Sequence, residues 1–363
     1  MRAGSFLLLL AIATHVSGQF SPGKWTTDTS RRSIELDELA LGGPGKDGIP
    51  AIHDPRFVSV EDAAVWLEAK EPVIVIRQGD EVQGYPLQIL MWHELVNDTV
   101  AGVPILVSYC PLCNSAVVFD RRVGGRTYEF GVSGMLRDSD MVMYDRETDS
   151  LWQQITGEGI VGAMTGQQLK MIASQTIPFR LLMEQHPDAK ILSRDTGYAR
   201  AYGENPYVGY ESTEQLMFPA RRSSGVRLKE RLVAIVRDGR AKAYPFELLR
   251  RSGVVGDEIG GDPYVIFFRE GMRSALEDRV IAESRERGAA TVFFPEVDGR
   301  RLTFQQRDGR IVDEEIGSTW NLLGVAVDGP LAGRQLTPVP HQVAFAFAWL
   351  VFQPDTEVVG SAQ

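Results

Sequence analysis

The sequence predicts a β-rich α+β protein: a tandem duplication of one mostly antiparallel β unit with short helices, the two copies related by a pseudo-two-fold. Two observations carry this. The chain matches itself in a fixed order over a long stretch. Within each matching stretch, short apolar runs are broken by the Gly, Asn and Asp residues of tight turns.

The self-match begins at Val73–Leu90, which resembles Leu232–Leu249, with Tyr85-Pro86 opposite Tyr244-Pro245. The register continues without a gap, so that Val96, Asp98, Gly102 and Pro104 stand opposite Val255, Asp257, Gly261 and Pro263. After an insertion it resumes: Ser150-Leu151-Trp152 answers Ser318-Thr319-Trp320, Gly162, Gly166 and Leu169 answer Gly329, Gly333 and Leu336, and Pro187-Asp188 answers Pro354-Asp355. The predicted organisation is a signal peptide at 1–18, an extended N-terminal arm at 19–56, a first repeat at 57–201, a connector at 202–225 and a second repeat at 226–357. Trp152 and Trp320 are expected at equivalent buried positions.

Each element has its own warrant. The apolar run Val73–Ile76 ends at Gly79-Asp80 and returns at Val82–Tyr85, which is a hairpin signature. Pro86 stands where a helix can begin, and Leu87–Val96 has apolar residues at helical spacing. Pro104–Tyr109 and Ala116–Phe119 read as paired strands with residues 110–115 at the turn, and Val123–Thr127 is a second turn leading into Tyr128–Val132. Phe179–Gln185 and Phe345–Phe352 read as short helices closing each copy.

Composition narrows the function classes. Of the 363 residues 44% are hydrophobic and 24% charged, ordinary for a globular protein, and the formal net charge is −10. Basic residues form no block beyond pairs such as Arg121-Arg122 and Arg221-Arg222, which speaks against nucleic acid as a partner. Arg2, the apolar Phe6–Ala13 and the small residues Val16-Ser17-Gly18 have the order of a cleavable export signal, and no Cys follows to take a lipid. The apolar Val343–Phe352 is far short of the roughly 20 residues of a membrane span. A periplasmic or extracellular protein with no membrane span is expected.

The chain has two cysteines, both in Tyr109-Cys110-Pro111-Leu112-Cys113-Asn114. Such a pair can be a redox dithiol, half of a metal site or a small structural disulfide. The motif is followed by a strand rather than a helix, which argues against a thioredoxin-like setting and fits a β-knuckle whose thiolates point the same way. Asn114 suits the left-handed residue such a turn needs. In the second copy Arg269 and Met272 replace the cysteines and Ser252 replaces His93, so the shared fold does not require them. Candidate companions are His93, in Trp92-His93-Glu94, and Met135, in a stretch rich in methionine and in the carboxylates Asp138, Asp140 and Asp145. Thiolate with thioether and imidazole favours copper(I), and thiolate with imidazole favours zinc. His341, opposite Ser174, is a more distant candidate should the copies pack together.

Tyr85-Pro86, Trp92-His93-Glu94, Val96-Asn97-Asp98, Tyr109–Cys113, Phe130–Gly134, Tyr144-Asp145-Arg146, Ser150–Gln153 and Thr156-Gly157 together resemble domain-of-unknown-function family 3179. The resemblance spans about residues 55 to 355 and implies an exported protein of the bacterial and archaeal type, with no settled biochemical role. Selenocysteine within the Cys-Pro-x-Cys region of some members implies that the pair is reactive or metal-binding. Three functions stay open. One is a soft metal ion, copper or zinc, held by Cys110, Cys113, His93 and Met135. Another is a thiol oxidoreductase with Cys110 as nucleophile, Cys113 as resolving thiol and a protein as redox partner. The third is an exported partner-binding scaffold with a structural disulfide.

Overall fold

Alternation along single strands sets the plan of the molecule. In Pro72–Gln78 the side chains of Val73 and Val75 enter one core cluster and those of Ile74 and Ile76 another, because successive residues of a strand face opposite ways. Arg231–Arg237 does the same: Leu232 and Ala234 join the cluster of Ile74 and Ile76, while Val233 and Ile235 join a third. A strand buried on both faces needs apolar residues at nearly every position, which is why both runs are continuous rather than alternating.

The computed structural model describes residues 25–221 and 226–360; the segment read as a signal peptide lies outside them. Pro72–Gln78 pairs antiparallel with Glu81–Pro86 and Gln175–Pro178, and Lys190–Leu192 adds in parallel to Glu81–Pro86. Arg231–Arg237 pairs antiparallel with Arg240–Pro245 and Gln342–Phe345, and Glu357–Val358 adds in parallel to Arg240–Pro245. A second sheet runs Lys170–Ile172, Ser115–Asp120, Val103–Cys110, Leu95–Val100; in the C-terminal half one runs Val254–Ile259, Asp262–Arg269, Ala289–Phe293. A third joins Ala40–Leu41, Phe130–Arg137, Asp140–Asp145, Leu151–Gln153 and Glu158–Val161. Its C-terminal counterpart joins Phe304–Arg307, Arg310–Asp313, Thr319–Trp320 and Ala326–Asp328. The fold is β-rich and mostly antiparallel, with few short helices.

The helices sit where strands must stop. Leu87–His93 follows Pro86 and Phe246–Ser252 follows Pro245, each proline in extended conformation. Proline has no N–H for the ladder and its φ suits the entry to a helix. The helix expected over Leu87–Val96 ends at His93, because Leu95–Val100 is recruited as a strand beside Val103–Cys110. The closing helices are Phe179–Gln185 and Ala346–Phe352. Among the described residues no helix is long and apolar enough to cross a membrane.

The two halves share their cores. Leu232, Ala344, Phe345 and Trp349 pack with Tyr109, Cys110 and Cys113, while Val73, Val75 and Ile177 pack with Phe267, Phe293 and Trp320. Trp152 and Trp320 are both buried, each donating its indole N–H to an aspartate, Asp145 at 2.9 Å and Asp313 at 3.0 Å. Tyr85 and Tyr244 likewise donate to Asp98 and Asp257, at 2.5 and 2.6 Å. The N-terminal arm is more than extended chain: Ala40–Leu41 pairs with Met135 and Leu136, and Ile34 and Leu39 enter a small core with Val142.

Candidate functional site

Cys110 is the last residue of the strand Val103–Cys110, and Ser115 opens its partner, so the two cysteines sit on the connecting turn. Asn114 closes that turn with φ +47°, its N–H on Pro111 O at 3.2 Å. The left-handed conformation anticipated for an asparagine here is present. Tyr109 Oη steadies Asn114 Oδ1 at 3.2 Å, and the C-terminal half ties the turn down through the Phe345 N–H on Cys113 O at 2.8 Å. Both thiols are free and buried.

The third member comes from a hairpin tip. Phe130–Arg137 and Asp140–Asp145 are joined by Asp138 and Ser139 at φ +50° and +64°, the left-handed pair of a tight hairpin turn. The tip reaches the cysteines: both thiols point at Ser139 O, Cys113 at 3.5 Å and Cys110 at 4.0 Å. The connector holds the other side of the tip, with Ser139 Oγ donating to Phe218 O at 2.7 Å and Arg221 Nη2 to Asp138 at 2.6 Å. Thus placed, Asp140 brings an oxygen to the thiols, and ligand atoms of Cys110, Cys113 and Asp140 all lie within 4.8 Å of one another.

Asp140 is held firmly by one oxygen only. Its Oδ2 accepts from Gln153 Nε2 at 2.6 Å and Ile155 N at 3.0 Å, while its Oδ1 is buried without a hydrogen-bond partner. Tyr210 Oη, another buried atom of this neighbourhood, is also unpartnered. Glu94 is 7% exposed, and nothing among the described residues hydrogen-bonds its carboxylate.

The electrostatics are one-sided. Burial pushes both thiols up, Cys113 furthest, and the neighbouring Asp140 adds to it. Burial also raises the Asp140 carboxyl to about 6, against the hydrogen bonds of Gln153 and Ile155. Glu94 is pushed to about 8 by burial and by Asp140. None of the strongest influences on either thiol is a Lys or Arg. Acidic groups whose protonated forms burial favours are thus gathered in the interior with no basic side chain among their strongest neighbours.

The structure sets the sequence-selected companions elsewhere. His93 is fully buried, and both ring nitrogens are in use: Nδ1–H donates to Pro50 O at 2.7 Å and Nε2 accepts from Tyr202 Oη at 2.6 Å. It does not join the Cys110–Cys113–Asp140 group. Met135 alternates with Leu136, and it is Leu136, with Met141 and Met143, that shares the core of the cysteines. Met135 instead packs with Ile34, Leu39 and Val142 on the opposite face. His341 is buried in the C-terminal half with Nδ1–H on Val339 O at 2.8 Å. Of the described residues, Asp140 is the one that joins the two cysteines in a group of candidate donor atoms.

The C-terminal half builds the same corner without thiols. Arg269 ends its strand as Cys110 does, and its Nη1 donates to Gly309 O, on the turn of the hairpin Phe304–Arg307/Arg310–Asp313. That hairpin has four register pairs where the thiol-facing one has six.

No curated protein and no solved structure matches the chain. A family model described as "Protein of unknown function (DUF3179)" matches residues 46–356, from the N-terminal arm to the last helix and beyond. The match takes in the cysteine turn, the Asp140 hairpin and the whole C-terminal half, and the chain belongs to that family.

Proposed function

We propose that this protein holds a divalent metal ion of the zinc type at Cys110, Cys113 and Asp140. The observation that carries the reading is the group itself: three buried donor atoms within 4.8 Å, one carboxylate oxygen left without a partner, and no basic side chain among their strongest neighbours. A cation would offset the burial that raises all three groups, and binding would release their protons. Of the two metals considered for the cysteines with His93 and Met135, a carboxylate donor favours zinc, since copper(I) prefers sulfur and imidazole. Metal analysis of protein purified from its native compartment tests this: about one zinc per chain supports it, and a folded, metal-free protein that takes up none refutes it.

A thiol-redox role is the second reading, favoured by two free thiols close enough to combine. Burial and raised thiol pKa values weigh against it, because exchange needs an accessible thiolate. It predicts little metal, a reversible disulfide and loss of exchange in Cys110→Ser.

The halves are read as tandem copies about a pseudo-two-fold. Support comes from the matched sheet orders, the paired Trp–Asp and Tyr–Asp bonds and the reciprocal sharing of cores. The first residues are read as an export signal, giving a mature chain that starts near Gln19 in the periplasm or outside the cell. Recovery of unprocessed chain from the cytosol of its own host would overturn that.

A further inference from the structure

We infer that Glu94 is a fourth donor to the Cys110–Cys113–Asp140 site, displayed from a backbone position that the fold otherwise gives to glycine. The inference rests on the metal reading above and adds a residue to it.

In both halves the helix after Tyr-Pro ends in the same junction. The residue that follows it donates its N–H four residues back, Glu94 to Leu90 and Gly253 to Leu249, each at 2.7 Å. Its carbonyl then accepts from the strand that ends at Cys110 or Arg269, through Tyr109 N and Phe268 N, each at 2.8 Å. The backbone angles nearly coincide, φ 60° and ψ −38° at Glu94 against φ 68° and ψ −34° at Gly253. Glycine takes this region freely, whereas a side chain there is strained and persists when the surroundings require it.

The junction itself does not require it. Gly253 makes the same two backbone bonds with no side chain, and a Cβ there would collide with Gln306. What distinguishes Glu94 is its carboxylate, on a side chain 7% exposed and without a hydrogen bond among the described residues, whose charge acts on Asp140, Cys110 and Tyr207. A largely buried carboxylate within electrostatic reach of another is unfavourable twice over, by lost solvation and by repulsion. A cation at the cysteines offsets both terms. Glu94 lies outside the tight group of three, so ligation requires its side chain to rotate toward the thiols. Two sulfurs and two oxygens then make the four donors of a closed tetrahedral site.

Substitution by the residue of the other half separates a site role from a structural one. Full-length Glu94→Gly and Glu94→Gln are titrated with cobalt(II), read by the thiolate-to-cobalt absorption band, and the metal-free proteins are melted. Metal-free Glu94→Gly is expected to melt at or above the wild-type temperature, while the cobalt Kd rises about ten- to a hundredfold in both variants. An unchanged cobalt Kd in folded Glu94→Gly overturns the inference and leaves the three-donor site standing. Metal-free Glu94→Gly melting well below wild type, with Glu94→Gln restored, overturns it in favour of a structural side chain. Wild-type protein that binds no cobalt overturns the metal reading, and this inference with it.

Discussion

Replacing Asp140 by asparagine separates what the carboxylate costs the fold from what it contributes to the site. Burial holds the Asp140 carboxyl at about 6 in the folded chain, against an ordinary 3.8. A pKa raised on folding gives stability that is complete below about 3.8 and is lost as pH rises through about 6. At pH 8 the group is ionised in both states, and the difference between 3.8 and about 6 corresponds to about 3 kcal/mol of lost stability. Asparagine escapes that loss. Its carbonyl oxygen can keep the bonds from Gln153 Nε2 and Ile155 N, with its amide nitrogen toward the thiols. Metal-free Asp140→Asn should therefore match wild type in urea unfolding near pH 4 and exceed it at pH 8 by up to about 3 kcal/mol. The same change removes a metal ligand, so zinc affinity should fall by about a hundredfold or more. An asparagine variant less stable than wild type at pH 8 refutes the account of a costly buried charge, and an unaltered zinc affinity removes Asp140 from the site.

Three further outcomes follow from the same geometry. The double variant Cys110→Ser/Cys113→Ser should fold, as circular dichroism would report, and should lose its metal; an unfolded double variant would instead point to a structural pair. Metal-free protein should lose stability between about pH 4.5 and 8, because burial raises Glu71 to about 7 and Glu94 to about 8. Saturating zinc should reverse that trend, since proton release strengthens binding as pH rises, and a melting temperature that still falls with pH at saturating zinc would count against it. Trp152→Phe and Trp320→Phe each remove an indole donor from a buried aspartate and should each cost about 1–3 kcal/mol in chemical denaturation; a large loss from one and none from the other would argue against equivalent roles.

The parts of the fold legible in the sequence were those fixed by local chemistry. The hairpin at Gly79-Asp80, the strands on either side of the cysteines and the left-handed Asn114 all depend on residues close in the chain. The helix after Pro86 was legible at its start but not at its end, because the strand Leu95–Val100 takes the last turn through pairing that no local spacing reveals. The site was legible only in its cysteines. His93 was selected for its imidazole, yet its burial with Pro50 and Tyr202 is set by residues distant in sequence. Asp140 could not be ranked above Asp138 and Asp145 without knowing that the hairpin tip carries it to the thiols; Asp138 meets Arg221 instead and Asp145 meets Trp152. Glu94 did leave a signal, since the register between the halves puts it opposite Gly253.

That register also explains why the two corners differ in more than their named residues. The turn carbonyl of the hairpin is met from the strand end in both halves, by Arg269 on Gly309 and by the cysteines on Ser139. A guanidinium sits at the end of a long side chain and reaches a distant turn, whereas a thiol is one bond beyond Cβ and cannot. The hairpin over the thiols has six register pairs and its counterpart four, so the turn advances where the side chain is short. With that advance comes Asp140, at the first position after the turn, where the shorter hairpin carries Arg310. The arginine corner is complete in itself: a cation on a carbonyl, with the backbone junction closed by glycine. Along the register between the halves, Cys110 and Cys113 stand opposite Arg269 and Met272, and Glu94 opposite Gly253. The exchange of Arg269 for Cys110 removes a positive charge, and that of Gly253 for Glu94 adds a carboxylate. Both changes lower the positive charge beside the thiols, which is the direction the proposed cation site requires, whereas packing of the shared backbone is met equally well by Arg269 and Gly253.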